Sequence, residues 1–230
     1  MTRTLSVVWP DPRPFAGRDR APIRLLAVSD LPDPALKYAT NRVGIGPIDA
    51  VVGCGDLEPG YLGFLGDAFG VPVAFVRGNH DRGGQWVESS GDAPQHLASG
   101  HLVEIDGITV APFEWPGLEP GTAQRDETRA WLDVVRISTR LAARRLSGRT
   151  SPVLVVSHAP PRGVGDSETD PYHVGFAGYR WLLERLRPPL WLHGHTTPAS
   201  VTDWRDRLGS SIVANVTGSV VVDLVPPPSP

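Results

Sequence analysis

The chain has 230 residues, 40% of them hydrophobic and 20% charged, enough for one well-buried domain and short for two. A formal net charge of −3, with no basic cluster beyond one helix end, argues against a general nucleic-acid or membrane-surface binder. The single cysteine, Cys54, excludes an internal disulfide and a cysteine-rich zinc site, and no apolar run approaches the ~20 residues of a bilayer span.

Residues 1–20, rich in Pro and Arg, read as an N-terminal extension, an extended arm packed on the domain. They lack the long apolar core of a signal peptide, so a cytoplasmic location is expected. A first strand is expected over 23–29, "IRLLAVS", followed by a helix with Asp33 at its N-cap and Pro34 at N1. "IDAVVGC" (48–54) is the next strand. A helix opened by Pro59, apolar at Tyr61, Leu62, Leu65 and Phe69, is closed by Gly70. "VPVAFV" (71–76) is the third strand, and this strand–helix alternation implies a largely parallel sheet. The polar stretch 82–100 is long for a loop and marks a candidate specificity element, as does 113–125. "HLVEID" and "ITVAPF" read as a hairpin about Asp106–Gly107. A long amphipathic helix is expected over 122–147 with Trp131, Val134, Ser138, Leu141 and Arg145 on one side. "PVLVVS" (152–157), a helix from Phe176 to Arg187 stopped by Pro188–Pro189, and strands in "LWLHG", "SIVANV" and "SVVVDLV" complete a domain spanning 21–226, with 227–230 a tail.

Polar residues collect where these strands end: Asp30; Gly55–Asp56; Asn79, His80 and Asp81; His158; His193 and His195. Any one of them is explicable as a cap or a structural histidine. Five independent strand ends carrying carboxylate, amide or imidazole are not explained by turn propensity. In an α/β protein the carboxyl ends of strands are where ligands bind. Two carboxylates, an amide oxygen and three imidazoles form a mixed O/N set suited to Mn, Fe, Co or Zn rather than to calcium. His193 and His195 lie two apart, so at a strand end both are expected to point into one cavity.

The blocks "SD", "GD", "GNHD", "SHAPP" and "HGH", in that order over residues 30–195, resemble the signature of the calcineurin-like metallophosphoesterase superfamily, in a small bacterial form. The resemblance implies an α/β fold, a four-layer αββα sandwich of two mixed sheets flanked by helices. It implies two divalent metal ions and hydrolysis of a phosphoester, a diester rather than a monoester, by a metal-activated hydroxide. Asp30 and His195 look like ligands of the first metal, Asp56 like the bridging carboxylate, and Asn79, His158 and His193 like ligands of the second. His80 is similar to the imidazole that touches the phosphate and assists the leaving group, and Asp81 looks like its orienter. His173 either faces the substrate or shapes a turn. The first block departs from the family pattern, because Pro32 stands where a histidine is usual. Asp33 either replaces that ligand or, the preferred reading, caps the following helix. The implied partner is a small phosphoester, not a membrane or nucleic acid. The alternative function is a metal- or partner-binding protein of the same fold with little or no catalysis.

Overall fold

The structure is a computed structural model and describes residues 2–81, 94–117, 124–167, 169–197 and 203–228. The first half of the chain supplies β1 (Arg3–Val8), β2 (Ile23–Ser29), α1 (Ala39–Ile45), β3 (Ala50–Gly53), α2 (Pro59–Phe69), β4 (Val73–Phe75) and β5 (Gln95–His96). The second half supplies β6 (Val103–Ile105), β7 (Ile108–Phe113), α3 (Glu127–Leu146), β8 (Val153–Ser157), α4 (Ala177–Leu186), β9 (Leu190–His193), β10 (Arg205–Leu208), β11 (Ser211–Asn215) and β12 (Gly218–Val225). They form two six-stranded mixed sheets, in the orders β1-β12-β2-β3-β4-β5 and β10-β11-β9-β8-β7-β6. Within them β2, β3 and β4 are parallel, as are β7, β8, β9 and β11.

The layering follows from strand parity. Ile23, Leu25 and Ala27 of β2 enter the core between the sheets, where they share a cluster with Leu154 and Val156 of β8 and Leu190 and Leu192 of β9. Leu26 and Val28 point the other way and pack with Leu62 and Leu65 of α2. Val153 and Val155 of β8 pack outward with Val134 and Ile137 of α3 and Leu182 and Leu183 of α4. Strands buried on both faces read as continuous apolar runs, which is why their sequences lack alternation. Helix, sheet, sheet, helix is therefore the observed arrangement, the expected αββα sandwich.

Several expectations shift in detail. Residues 3–8 of the N-terminal arm form a strand, paired in register with β12 from Arg3↔Val220 to Val8↔Val225. The helix expected after Asp33 is two pieces, a 3-10 turn at Pro34–Lys37 and then α1, separated by Tyr38 in an extended conformation. Side chains intercept the carbonyls that a continuous helix needs: Asn41 donates to Ala35 O, and Arg42 to Leu36 O and Lys37 O. Asp33 does cap this turn, accepting from Ala35 N at 2.9 Å. The helix expected from 122 begins at Glu127, with Asp126 accepting from Thr128 N and Arg129 N. Its buried side is Ala130, Asp133, Val134 and Ile137, while Trp131 is 36% exposed against Trp181. Small Ala130 and Gly178 bring α3 and α4 close, and a burial pattern read from large apolar residues misplaces the face by about one position. The charged edge strand β10, "RDRL", carries no apolar run and was not expected. Residues 82–93 of the first long loop and 118–123 of the second lie outside the described residues.

Leu154 is fully buried between the sheets, whereas Leu146 is 92% exposed. Leu154→Ala is expected to lower unfolding free energy by about 2–5 kcal/mol in urea titrations, and Leu146→Ala by less than about 0.5 kcal/mol. Equal costs would contradict this placement of the core.

Candidate metal centre

Strands β2, β3 and β4 of one sheet and β8 and β9 of the other end at the same place. Just beyond the ends of β2, β3 and β9, Asp30 (φ 58°), Asp56 (φ 57°) and His195 (φ 67°) occupy the left-handed region, which aspartate and histidine enter more readily than branched residues. Each reversal turns a polar side chain back over the strand ends instead of letting the chain run on. Glycines clear the space. A Cβ on Gly78 would collide with the Asp56 carboxylate and stand 2.7 Å from His158 Cε1; one on Gly194 would collide with Ser29 Oγ and lie 2.5 Å from Asp30 Oδ2.

The donors converge on Asn79. Its Oδ1 lies 2.7 Å from His158 Nε2 and 3.1 Å from His195 Nδ1, and His158 Nε2 is 3.3 Å from Asp56 Oδ2. Ligand atoms of Asp30, Asp56 and His158 all fall within 4.8 Å of one another. The far side of each ring is fixed. His158 Nδ1 donates to Cys54 O at 2.8 Å, and His195 Nε2 donates to Tyr172 O at 2.8 Å. A carbonyl only accepts, so these contacts assign the tautomers and leave the other nitrogen of each ring facing the cluster. Asp30 Oδ2 accepts from His195 N at 2.9 Å and from Thr217 Oγ1 at 3.0 Å. Asp56 Oδ1 accepts from His80 N at 2.7 Å, and His80 is exposed. Trp115 covers the rings, its centroid 4.7 Å from that of His195 and 5.9 Å from that of His158.

These residues fit a divalent ion. The neutral His195 ring turns the lone pair of Nδ1 toward Asn79 Oδ1, so two acceptors face each other at 3.1 Å. A cation shared between them relieves that opposition. The spacings among Asp56, Asn79, His158 and His195 are also close to the ~3 Å expected between donors on one ion.

Burial opposes a charge on His158, but Asp56, Asp30 and the Cys54 carbonyl outweigh it and raise its pKa to about 9. Burial likewise pushes Asp56 upward, and the facing His158 with the His80 amide holds it below the usual carboxylate range. Burial lowers His193 to about 4 and His195 to about 3, helped in each by the nearby His158. In the metal-free protein a proton on His158 therefore occupies the side of the ring that a cation needs.

Most residues expected at the site are brought together: Asp30, Asp56, Asn79, His80, His158 and His195. His193 is not. Its Nδ1 lies 2.9 Å from Gly194 O, and its Nε2 is buried against Gly165 with no hydrogen-bond partner among the described residues. The two-residue rule fails because β9 ends at His193 and His195 has left the strand conformation, so the rings diverge. His195, expected on a different ion from Asn79 and His158, stands beside both. Asp81 also differs from its expected role. Its Oδ2 accepts from Asp56 N at 2.8 Å and Gly78 N at 2.7 Å, tying the turn after β3 to the turn after β4 rather than orienting the His80 ring. His173 pairs with Asp170 at 2.5 Å, with its ring centroid 5.1 Å from that of His195. Thr217, Tyr172 and Trp115 were not expected. Thr217 follows a strand like the other site residues, whereas Tyr172 acts through its carbonyl, which no side-chain pattern reveals.

The titration has a definite sign. His158 takes a proton more readily folded than at its ordinary value of 6.5, so its contribution to stability is full below 6.5 and lost as pH rises through about 9. His193 and His195 have depressed values, so their contribution is present above 6.5 and lost as pH falls toward about 4 and about 3. Metal-free protein is expected to melt at progressively lower temperature from pH 6.5 to 9, and His158→Asn to flatten that alkaline limb. A Tm that rises over this interval would contradict the assignment.

The calcineurin-like phosphoesterase family model matches residues 23–198, a span containing Asp30, Asp56, Asn79, His158 and His195. One crystal structure superposes with a TM-score of 0.64 at 14% identity, covering 88% of this chain and 95% of its own. The crystal structure of TT1561 from Thermus thermophilus does so with a TM-score of 0.58 at 19% identity, covering 86% of this chain and 90% of its own. At such identities the two show a shared fold. No curated protein matches the sequence. The match along most of the domain makes the chain a member of the calcineurin-like phosphoesterase family.

Proposed function

We propose that the chain hydrolyses small phosphoesters with a divalent ion held by Asp56, Asn79, His158 and His195, and that it prefers diesters to monoesters. The observation that carries this reading is the meeting of an imidazole from β8, a second from beyond β9 and an amide oxygen from beyond β4 at 2.7 and 3.1 Å. A bound divalent ion supplies Lewis-acid stabilisation of charge on the phosphoryl group and eases deprotonation of water. The chain's own groups do the rest. The His80 amide is pinned to Asp56 Oδ1, which sets its exposed imidazole beside the cluster, where it hands a proton to the departing oxygen. Asp81 holds the His80 and Asp56 turns in register through two amide hydrogen bonds. Trp115 shields one side of the rings from water.

The diester preference rests on charge. A monoester dianion gains from a free guanidinium, the usual bidentate partner of phosphate. Of the arginines between β7 and α4, Arg125 donates to Val174 O and Gly175 O, and Arg162 to Gly175 O and Glu127, so neither of these two is free for phosphate. A singly charged diester makes no such demand.

The test is hydrolysis of bis-p-nitrophenyl phosphate by chelator-stripped protein across a Mn²⁺ titration. Saturable, metal-dependent turnover is expected, lost by at least about 10²-fold in Asp56→Asn. His80→Ala is expected to slow diesters of poor leaving groups by about 10²–10⁴-fold and p-nitrophenyl esters far less. No turnover at any metal concentration would overturn the enzymatic reading in favour of a metal- or partner-binding role. Faster turnover of p-nitrophenyl phosphate than of the diester would overturn the diester preference.

A further inference from the structure

We infer that this centre holds one divalent ion per chain, where the family resemblance implies two, with Asp30 a positioning residue rather than a ligand. The inference rests on reading the site as a metal centre and concerns how many ions its residues can hold.

Imidazole donors decide the count. His158 has one nitrogen on Cys54 O and His195 has one on Tyr172 O, so each ring offers a single donor. Both donors point to Asn79 Oδ1, the same side of the cluster. His193, which the sequence suggested as a further ligand, keeps its free nitrogen against Gly165. Pro32 contributes no donor atom from its side chain. Of the residues that the sequence assigned to a metal, only carboxylate oxygen from Asp30 and Asp56 is left for a second ion.

One oxygen of Asp30 is moreover engaged elsewhere. Its Oδ2 accepts from the His195 amide and from Thr217 Oγ1, and Thr217 Oγ1 also lies 2.9 Å from Thr196 O. Asn215 closes the same network, its Nδ2 donating to Thr196 O at 2.6 Å and its Oδ1 accepting from Thr217 N at 2.9 Å. Asp30 thus anchors the backbone of the reversal that aims the His195 ring at Asn79. Two carboxylates, one of them shared with the first ion, offer Mn²⁺ fewer protein ligands than the imidazole-containing set and hold it more weakly. The built set of Asp56, Asn79, His158 and His195 has two nitrogens and two oxygens on one point, and the Asp30 side has no counterpart.

Metal content decides it without reference to turnover. Chelator-stripped full-length protein is titrated calorimetrically with Mn²⁺, and the loaded protein is desalted, assayed for metal and examined by electron paramagnetic resonance at low temperature. One Mn²⁺ per chain with the six-line signal of an isolated ion is expected. Asp30→Asn, which keeps an acceptor oxygen, is expected to retain one ion, whereas Asn79→Ala and His195→Ala lose at least about tenfold in affinity, with circular dichroism checking that each is folded. Two ions per chain, a spin-coupled multiline signal, or loss of the ion from Asp30→Asn would overturn the inference. So would the absence of any binding. Because the wild-type stoichiometry is itself the test, a variant that fails to fold leaves it falsifiable. One bound ion without hydrolysis would defeat the proposed function alone, and two ions with hydrolysis would defeat this inference alone.

Discussion

Everything at this site depends on one fully buried ring, His158, gripped at both ends. It leaves β8 in one sheet, bonds Cys54 O at the end of β3 in the other, and presents its second nitrogen to Asn79 from the turn after β4. The two sheets are joined across their core by apolar packing, which is non-directional and does not by itself set how their ends align. A hydrogen-bonded imidazole across the gap is directional. It fixes how the carboxyl ends of the two sheets face one another, and the position of every other donor is measured from there.

A polar cluster like this one is costly. Buried carboxylates and imidazoles lose hydration, and left-handed conformations at three non-glycine residues store roughly 1–3 kcal/mol each. The surrounding fold offsets that cost. The core between the sheets is built from strand residues that are almost all completely buried, including Ala27, Val52, Val156 and Leu192 in the strands that end at the site. Raised His158 and lowered Asp56 pKa values are two views of one arrangement, in which a proton partly compensates the cluster's negative charge when no ion does so. Such a site is more stable loaded than empty, and its metal affinity is coupled to protonation.

The strand ends were legible because burial on both faces makes continuous apolar runs, and the polar residues closing those runs stand out. Asp30, Asp56, Asn79 and His158 were found that way, and the resemblance of their order to a known family supplied the sandwich. What sequence could not show was direction. His193 and His195 look equivalent in "HGH", yet one ends a strand and the other sits at φ 67°, so their rings part. Asp81 looked like an orienter of its neighbour His80, and its carboxylate instead serves amides 25 and three residues away. The Tyr172 carbonyl acts from a position whose side chain gives no warning, and Thr217, although it follows a strand, offers only a hydroxyl. The 3-10 turn at Pro34–Lys37 and the charged strand β10 were hidden for a related reason, because tertiary hydrogen bonds there override local pattern.

The position of a bound cation is the central claim's direct test. Anomalous diffraction from crystals grown with Mn²⁺ is the measurement. One strong peak is expected, shared by Asp56, Asn79, His158 Nε2 and His195 Nδ1. A peak bound by His193, or one lying between Asp30 and Asp56 with Asn79 and His195 unengaged, would contradict it.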